Sequence, residues 1–353
     1  MNSILARYIK SNSRGYVNRI GIILTMLITL QGVLHSQNTY TSNRTGRWDT
    51  PGTWTGAPGT PGATDTVYIQ NGHTVNVQFF STESAFTIYI QSGGVLDMGF
   101  GTINVGGKFI VDGNFTSSAF FSGNLNFSGD TLGGGGNIAL NSPGSIFDMS
   151  ANAVVLPTAN LQIFGDVNIQ NNVTVTNQGQ LSVFGDLDGA NATGSIWTND
   201  TDSEIELDGV FMSTGILNAS ATGNTVSYIQ SGNQDVKTPS SSTYYNLTIS
   251  GTNTKTILGN LVINNDLLIN SGTLDSDGYD LEIGGNWTNN GEFLENTGSV
   301  TFNATFDQTI ENDAGEEFYD LIINKSSGSL YLEGNVQASN SLDLSLSGGI
   351  VEA

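Results

Sequence analysis

The densest potential chemistry in this chain is a run of carboxylates at a strict spacing of two: Asp200, Asp202, Glu204, Glu206 and Asp208. Alternate residues of a β-strand share a face, so this spacing would set five carboxylates on one side and Ile205 and Leu207 on the other. Like charges that close repel, so either water and salt screen them or a cation bridges them. Calcium is the cation that hard oxygen ligands would take outside a cell, and these five residues form the candidate calcium site. A solvated strand face is the competing reading, since no full EF-hand loop is present. Asp275-x-Asp277-Gly278-x-Asp280 is a similar, weaker cluster that reads as a turn.

Scarcity limits the other chemistries. The chain has no cysteine, and after residue 36 its one histidine is His73. Zinc sites of ordinary ligand type need more than that, and a Ser-His-Asp triad would depend wholly on His73. Its Gly72-His73-Thr74 setting, between two alternating runs, suits a hydrogen bond to a turn. Lyases that act on uronates need a strong base and cationic neighbours, but beyond residue 36 only Arg44, Arg47, Lys108, Lys237, Lys255 and Lys325 are basic, and they are scattered. Glycoside hydrolases need a spaced carboxylate pair, which 32 acidic residues would supply by chance. The expectation is a non-enzymatic protein, with no catalytic residues and no cofactor beyond the candidate calcium.

The elements that would carry these residues begin after a leader. Arg7, Lys10, Arg14 and Arg19 precede the apolar segment Ile20 to Leu34, and small or polar residues follow at His35-Ser36-Gln37. That order predicts a cleaved signal peptide over residues 1–36, because the apolar run is shorter than the roughly 20 residues that span a bilayer. Without it six basic residues face 32 acidic ones, so the net charge moves from −22 to −26. A chain so acidic is expected to avoid nucleic acid, whose binding is carried by Lys and Arg. No later segment is apolar enough to insert in a membrane, so the expected location is secreted or on the extracellular cell surface.

Beyond the leader, helical periodicity gives way to short alternating runs separated by Gly, Asn and Asp, as in Val67-Tyr68-Ile69, Ile103 to Val105 and Val173 to Val175. The runs repeat. Leu161-Gln162-Ile163-Phe164-Gly165-Asp166-Val167 returns 20 positions later as Leu181-Ser182-Val183-Phe184-Gly185-Asp186-Leu187, and Ile103 to Phe109 returns 178 positions later as Leu281 to Trp287. A longer stretch, Gly223 to Gly278, recurs imperfectly from Thr297 to Ala353. Tyr245 answers to Tyr319 at an offset of 74, Gly259 to Gly334 at 75 and Ser271 to Ser347 at 76.

Fixed self-similarity marks a solenoid. The expected fold is all-β, a parallel β-helix whose coils of about 20 residues lie about 4.8 Å apart. Residues 37–80 would form an N-terminal cap and first strands, 81–222 solenoid coils, and 223–353 a duplicated block with its second copy truncated. A string of β-sandwich domains is the alternative, but a repeat of 20 residues is too short for one.

Between residues 46 and 77 stands the pattern Gly46-x-Trp48, Thr53-Trp54, Pro58 or Pro61, Asp65-Thr66-Val67-x-Ile69 and Gly72-His73-Thr74-Val75-x-Val77. It resembles the opening of surface proteins exported by Bacteroidota and is similar to the start of the eight-glycine domain of some eukaryotic surface proteins. The resemblance implies long β-solenoid arrays and type IX secretion, with a sorting domain at the far C-terminus. No sorting domain is visible, and the second repeat stops where the first continues into Tyr279-Asp280-Leu281, so the chain is expected to be the front of a longer protein. From the residues alone, Trp48 and Trp54 are large enough to plug the open end of a solenoid, and Pro51, Pro58 and Pro61 cannot donate to a pairing strand. Carbohydrate stacking is the other use of such tryptophans.

Together these readings describe an exported structural or adhesive protein, a β-solenoid stalk whose partners would be surface glycans or other cell-surface proteins. The alternative is a carbohydrate-active enzyme or carbohydrate-binding module on the same scaffold.

Overall fold

Alternation along the chain becomes an inside and an outside. In the computed structural model, which describes residues 37–117 and 120–353, the strand Asn246–Ile249 buries Leu247 and Ile249 and turns Asn246 and Thr248 outward. The expected signal peptide lies outside the described residues.

Residues 38–353 form a parallel β-helix. Its spine is a long sheet of 15 strands, from Gly46–Arg47 to Ile350–Glu352. With neighbouring strands about 4.8 Å apart, the spine rises on the order of 65 Å. In the N-terminal half each coil adds one strand to the long sheet, one to a third sheet of six strands and one to a second sheet of ten. Past Asn218 a six-stranded sheet takes over from the second through the bridge Ala219 to Tyr244, and a four-stranded sheet spans Gln234 to Leu294.

Register explains the short repeat. Leu161 stands beside Leu181 and Ile163 beside Val183, so the 20-residue match is one coil, and a match in sequence is a match in burial. Inward residues stack into columns such as Val67, Ile88, Phe109, Leu132 and Val155, each at most 1% exposed. Fully burying one such side chain is worth about 1.5–3 kcal/mol, and the next coil provides most of the cover.

The longer repeat behaves differently. Leu247 and Ile249 face inward from the long sheet, whereas their counterparts Leu321 and Ile323 face inward from the six-stranded C-terminal sheet. An offset of 74 to 76 is not a whole number of coils, so the second copy restarts on another face. The 178-residue match shifts too, since Phe109 belongs to the second sheet and Trp287 to the long one. A strand-turn-strand phrase needs only an apolar inward row and a bend, and every face offers both.

At the N-terminal end, Trp54–Thr55 pairs antiparallel with Thr39–Ser42 and covers the outer edge of the second sheet. Trp48 is wholly buried and Trp54 is 5% exposed, with their rings edge to face at 5.4 Å. Trp54 Nε1 donates to the Trp48 carbonyl at 2.7 Å, and the Tyr40 hydroxyl donates to the Pro58 carbonyl at 3.0 Å. Carbohydrate stacking on these two tryptophans is thereby overturned, because their faces are spent on the end of the core.

Candidate functional site

The acidic run is broken by the backbone. The strand Ser195–Asn199 ends before it, residues 200–202 turn, Asp202 adopts a left-handed φ of 57°, and a new strand runs Glu204–Leu207. Glu204 and Glu206 project from that strand, with Ile205 and Leu207 buried behind them and Asp208 just past its end. Five carboxylates on one strand face is therefore corrected to two, because the left-handed Asp202 separates Asp200 and itself from the strand and Asp208 falls past its end. Asp200 accepts from Gln178 Nε2 at 3.0 Å and from the Thr201 amide at 2.8 Å, and Glu206 accepts from Ser182 Oγ at 2.8 Å. Burial pushes the Glu204 carboxyl up, and the charge of Glu206 adds to it. Among the described residues no three His, Cys, Asp or Glu side chains gather as a metal ion would need.

Asp277 and Gly278 both have positive φ, and Asp275 Oδ1 accepts from the Asp277 amide at 2.9 Å, so that cluster is a turn. His73 Nδ1 lies 2.9 Å from Ser42 Oγ and 3.1 Å from the Ser42 carbonyl. A carbonyl only accepts, so the second contact places a proton on Nδ1. The imidazole ties the turn before Thr74–Asn76 to the first strand, Thr39–Ser42.

Other polar residues are drawn inside. Asn177, Asn199 and Asn224 are wholly buried at one corner of successive coils, Asn177 donating to Asn199 Oδ1 at 2.8 Å and Asn199 to Asn224 Oδ1 at 3.3 Å. Gln234 Nε2 donates to the carbonyls of Leu207 and Gly209, and Gln308 Nε2 to those of Ile283 and Gly285. These glutamines stand 74 positions apart, the offset of the long repeat, and that coincidence was the signal available in the sequence. Lys255 and Lys325 are wholly buried, each ammonium ringed by three acceptors. Scattered spacing gave no sign of that.

Glu316 is 4% exposed, and one of its oxygens accepts from Trp287 Nε1 at 2.7 Å, Asn289 Nδ2 at 2.9 Å and Asn312 Nδ2 at 3.2 Å. Burial pushes its carboxyl above the usual range, against the pull of those three donors. A raised acid keeps its proton in the folded state to a higher pH than in the unfolded state, so stability falls as pH rises from the unfolded pKa through the folded one. Glu316→Gln, which keeps an acceptor without the charge, is expected to abolish that fall and to be at least as stable as wild type at pH 7. Denaturant midpoints of both proteins between pH 4 and 8 check this, and parallel curves would refute it.

The corner between the long and third sheets is built differently. There the chain exposes Phe79 (70%), Phe80 (83%) and Phe121 (57%) to solvent. Phe79 stacks on Phe100 at 4.9 Å, and Phe100 meets Phe121 edge to face at 4.6 Å. Two coils beyond, Phe164 stacks on Phe184 at 4.7 Å and 11°. In the coil between stand Asn141, Ser142 and Pro143, beside a depression of about 320 Å³. On the third-sheet face, one outward position in from the residues Thr102, Asn124, Ile146 and Asp166 that border the corner, the outward residues Ser84, Asn104, Asn126, Asp148, Asn168 and Asp188 stand in register on successive strands. Asn104 donates to Ser84, Asn126 to Asn104 and Asn168 to Asp148, at 3.2, 2.8 and 2.6 Å. This double row, aromatic on the corner and polar on the face, is the candidate site.

No family model, no curated protein and no solved structure matches this chain.

Sequence reasoning missed the aromatic row. Its signal was Phe before Gly at coil intervals, in Phe100-Gly101, Phe164-Gly165 and Phe184-Gly185. Of the basic residues, Arg47 pairs with Asp49 at 2.7 Å, while Lys255 and Lys325 are engaged inside. Among the described residues no helix is long and apolar enough to cross a membrane.

Proposed function

We propose that this chain is an exported, non-enzymatic surface protein, a β-solenoid stalk with a structural or adhesive role. The observation that carries the reading is the continuous 15-stranded spine, which repeats an outward row of side chains along the axis at one strand spacing. A surface repeated in that way suits contact with glycans or proteins of neighbouring surfaces. The acidic composition supports export as a soluble, self-repelling body. The leader over residues 1–36 supports the same route.

The test is location and attachment. In producing cells the chain is expected to be cleaved by added protease without lysis, and its deletion to reduce attachment to glycan-coated surfaces. Retention in the cytosol, or attachment unchanged by deletion, would count against the proposal. A carbohydrate-binding module on the same scaffold is the second reading, favoured by the exposed phenylalanines. Release of reducing sugar from a polysaccharide panel by the purified chain would replace both with an enzyme.

A further inference from the structure

We propose that the corner between the long and third sheets is a binding track for an extended, uncharged polysaccharide lying along the solenoid axis. The proposal deepens the adhesive reading, on which its biological use rests, by naming the track and the chemistry of its ligand.

Period is the first argument. Ring contacts at 4.9, 4.6 and 4.7 Å and polar side chains one strand apart give two parallel rows whose neighbours are one coil apart, the aromatic one interrupted at the coil of Asn141, with a spacing of about 4.8 Å. That is close to the length of one pyranose residue in an extended chain. A polymer of such residues would stay in register with both rows over several coils.

Chemistry is the second. The C–H face of a pyranose packs on an aromatic ring, while its hydroxyls both donate and accept. Asn104, Asn126 and Asn168 offer both functions, and Asp148 and Asp188 accept. Where the aromatic row is interrupted, the depression beside Asn141, Ser142 and Asp166 leaves room for a substituent. The exposed rings would also gain from cover, at about 25 cal/mol per Å² of apolar surface.

Charge is the third argument. Asp148, Asp166 and Asp188 lie on or beside the track, in a chain with six basic residues against 32 acidic ones beyond residue 36. A polyuronate or sulfated glycan would meet like charge over the coils of Asp148, Asp166 and Asp188. The uncharged polymer meets none.

The experiment is affinity electrophoresis and calorimetry of the purified chain with mannan, hydroxyethyl cellulose and polygalacturonate, followed by mannose and glucose oligomers of three to six residues. At least one neutral polymer is expected to retard the chain, with affinity rising from trimer to hexamer as more coils are engaged. Phe79→Ala combined with Phe121→Ala is expected to weaken binding at least tenfold. Because both rings are exposed, the circular dichroism should not change, and the melting temperature should fall only by what the two contacts to Phe100 contribute. Asn126→Ala should weaken binding by a smaller factor. No retardation by either neutral polymer, tighter binding of polygalacturonate, or an affinity that ignores both oligomer length and the phenylalanine substitutions would overturn the track. If the track fails while the chain is still protease-accessible and needed for attachment, the stalk reading stands. If the purified chain binds but is retained in the cytosol, the stalk reading fails and the track stands.

Discussion

Trp287→Ala is expected to cost about 3–5 kcal/mol and to unfold the C-terminal coils before the rest. Trp287 is wholly buried on the inner face of the long sheet, edge to face with Phe293 at 4.9 Å and Phe318 at 5.2 Å. Its Nε1 is also one of three donors to the buried Glu316 carboxyl. Alanine therefore removes the largest side chain of this cluster and one of the three hydrogen bonds to Glu316. In a solenoid, stability is close to a sum of coil and neighbour terms, so the damage should stay local. Hydrogen exchange is expected to quicken in Leu267–Ile269 and Gln308–Glu311, the strands on either side of Trp287, while Thr87–Ile90 and Lys108–Val111 keep their protection. Uniform loss along the chain, or a cost under about 1 kcal/mol, would show that the cluster does not hold these coils together.

Lys325→Met is expected to cost about 3–5 kcal/mol, through unmade hydrogen bonds. Lys325 Nζ lies 3.0 Å from the Ala304 carbonyl, 2.9 Å from that of Phe306 and 3.0 Å from Gln308 Oε1. Methionine fits the stem but donates nothing, so three acceptors inside the coil lose a partner at once. Burial pulls the lysine below its ordinary pKa, with Asp307 opposing. Denaturant midpoints measure the effect. Lys108→Met, at an exposed position on the second sheet, is the control and should move stability by no more than about 0.5 kcal/mol. Equal effects at the two positions would show that the ring of acceptors contributes nothing.

What could be read in advance follows from where alternation operates. Within strands it is a local code. Leu247 and Ile249 face inward because they alternate with Asn246 and Thr248, and Leu161 falls beside Leu181 because parallel pairing keeps the period of two. From these features the sequence by itself determined a parallel β-helix with coils of about 20 residues and a polar exterior.

Tertiary structure decided the rest, because it depends on which coil closes over which. The repeat from Thr297 lands on a different face from its first copy, since each face asks only for an apolar inward row. Asp202 turns left-handed and splits the acidic run, a backbone choice that spacing does not report. Lys325 is buried because the carbonyls of Ala304 and Phe306, about 20 positions earlier, surround its ammonium. Phe79, Phe100 and Phe121 form one row for the same reason, non-local stacking. These phenylalanines lie about 20 positions apart in sequence, so only the stacked coils bring them into one aromatic edge.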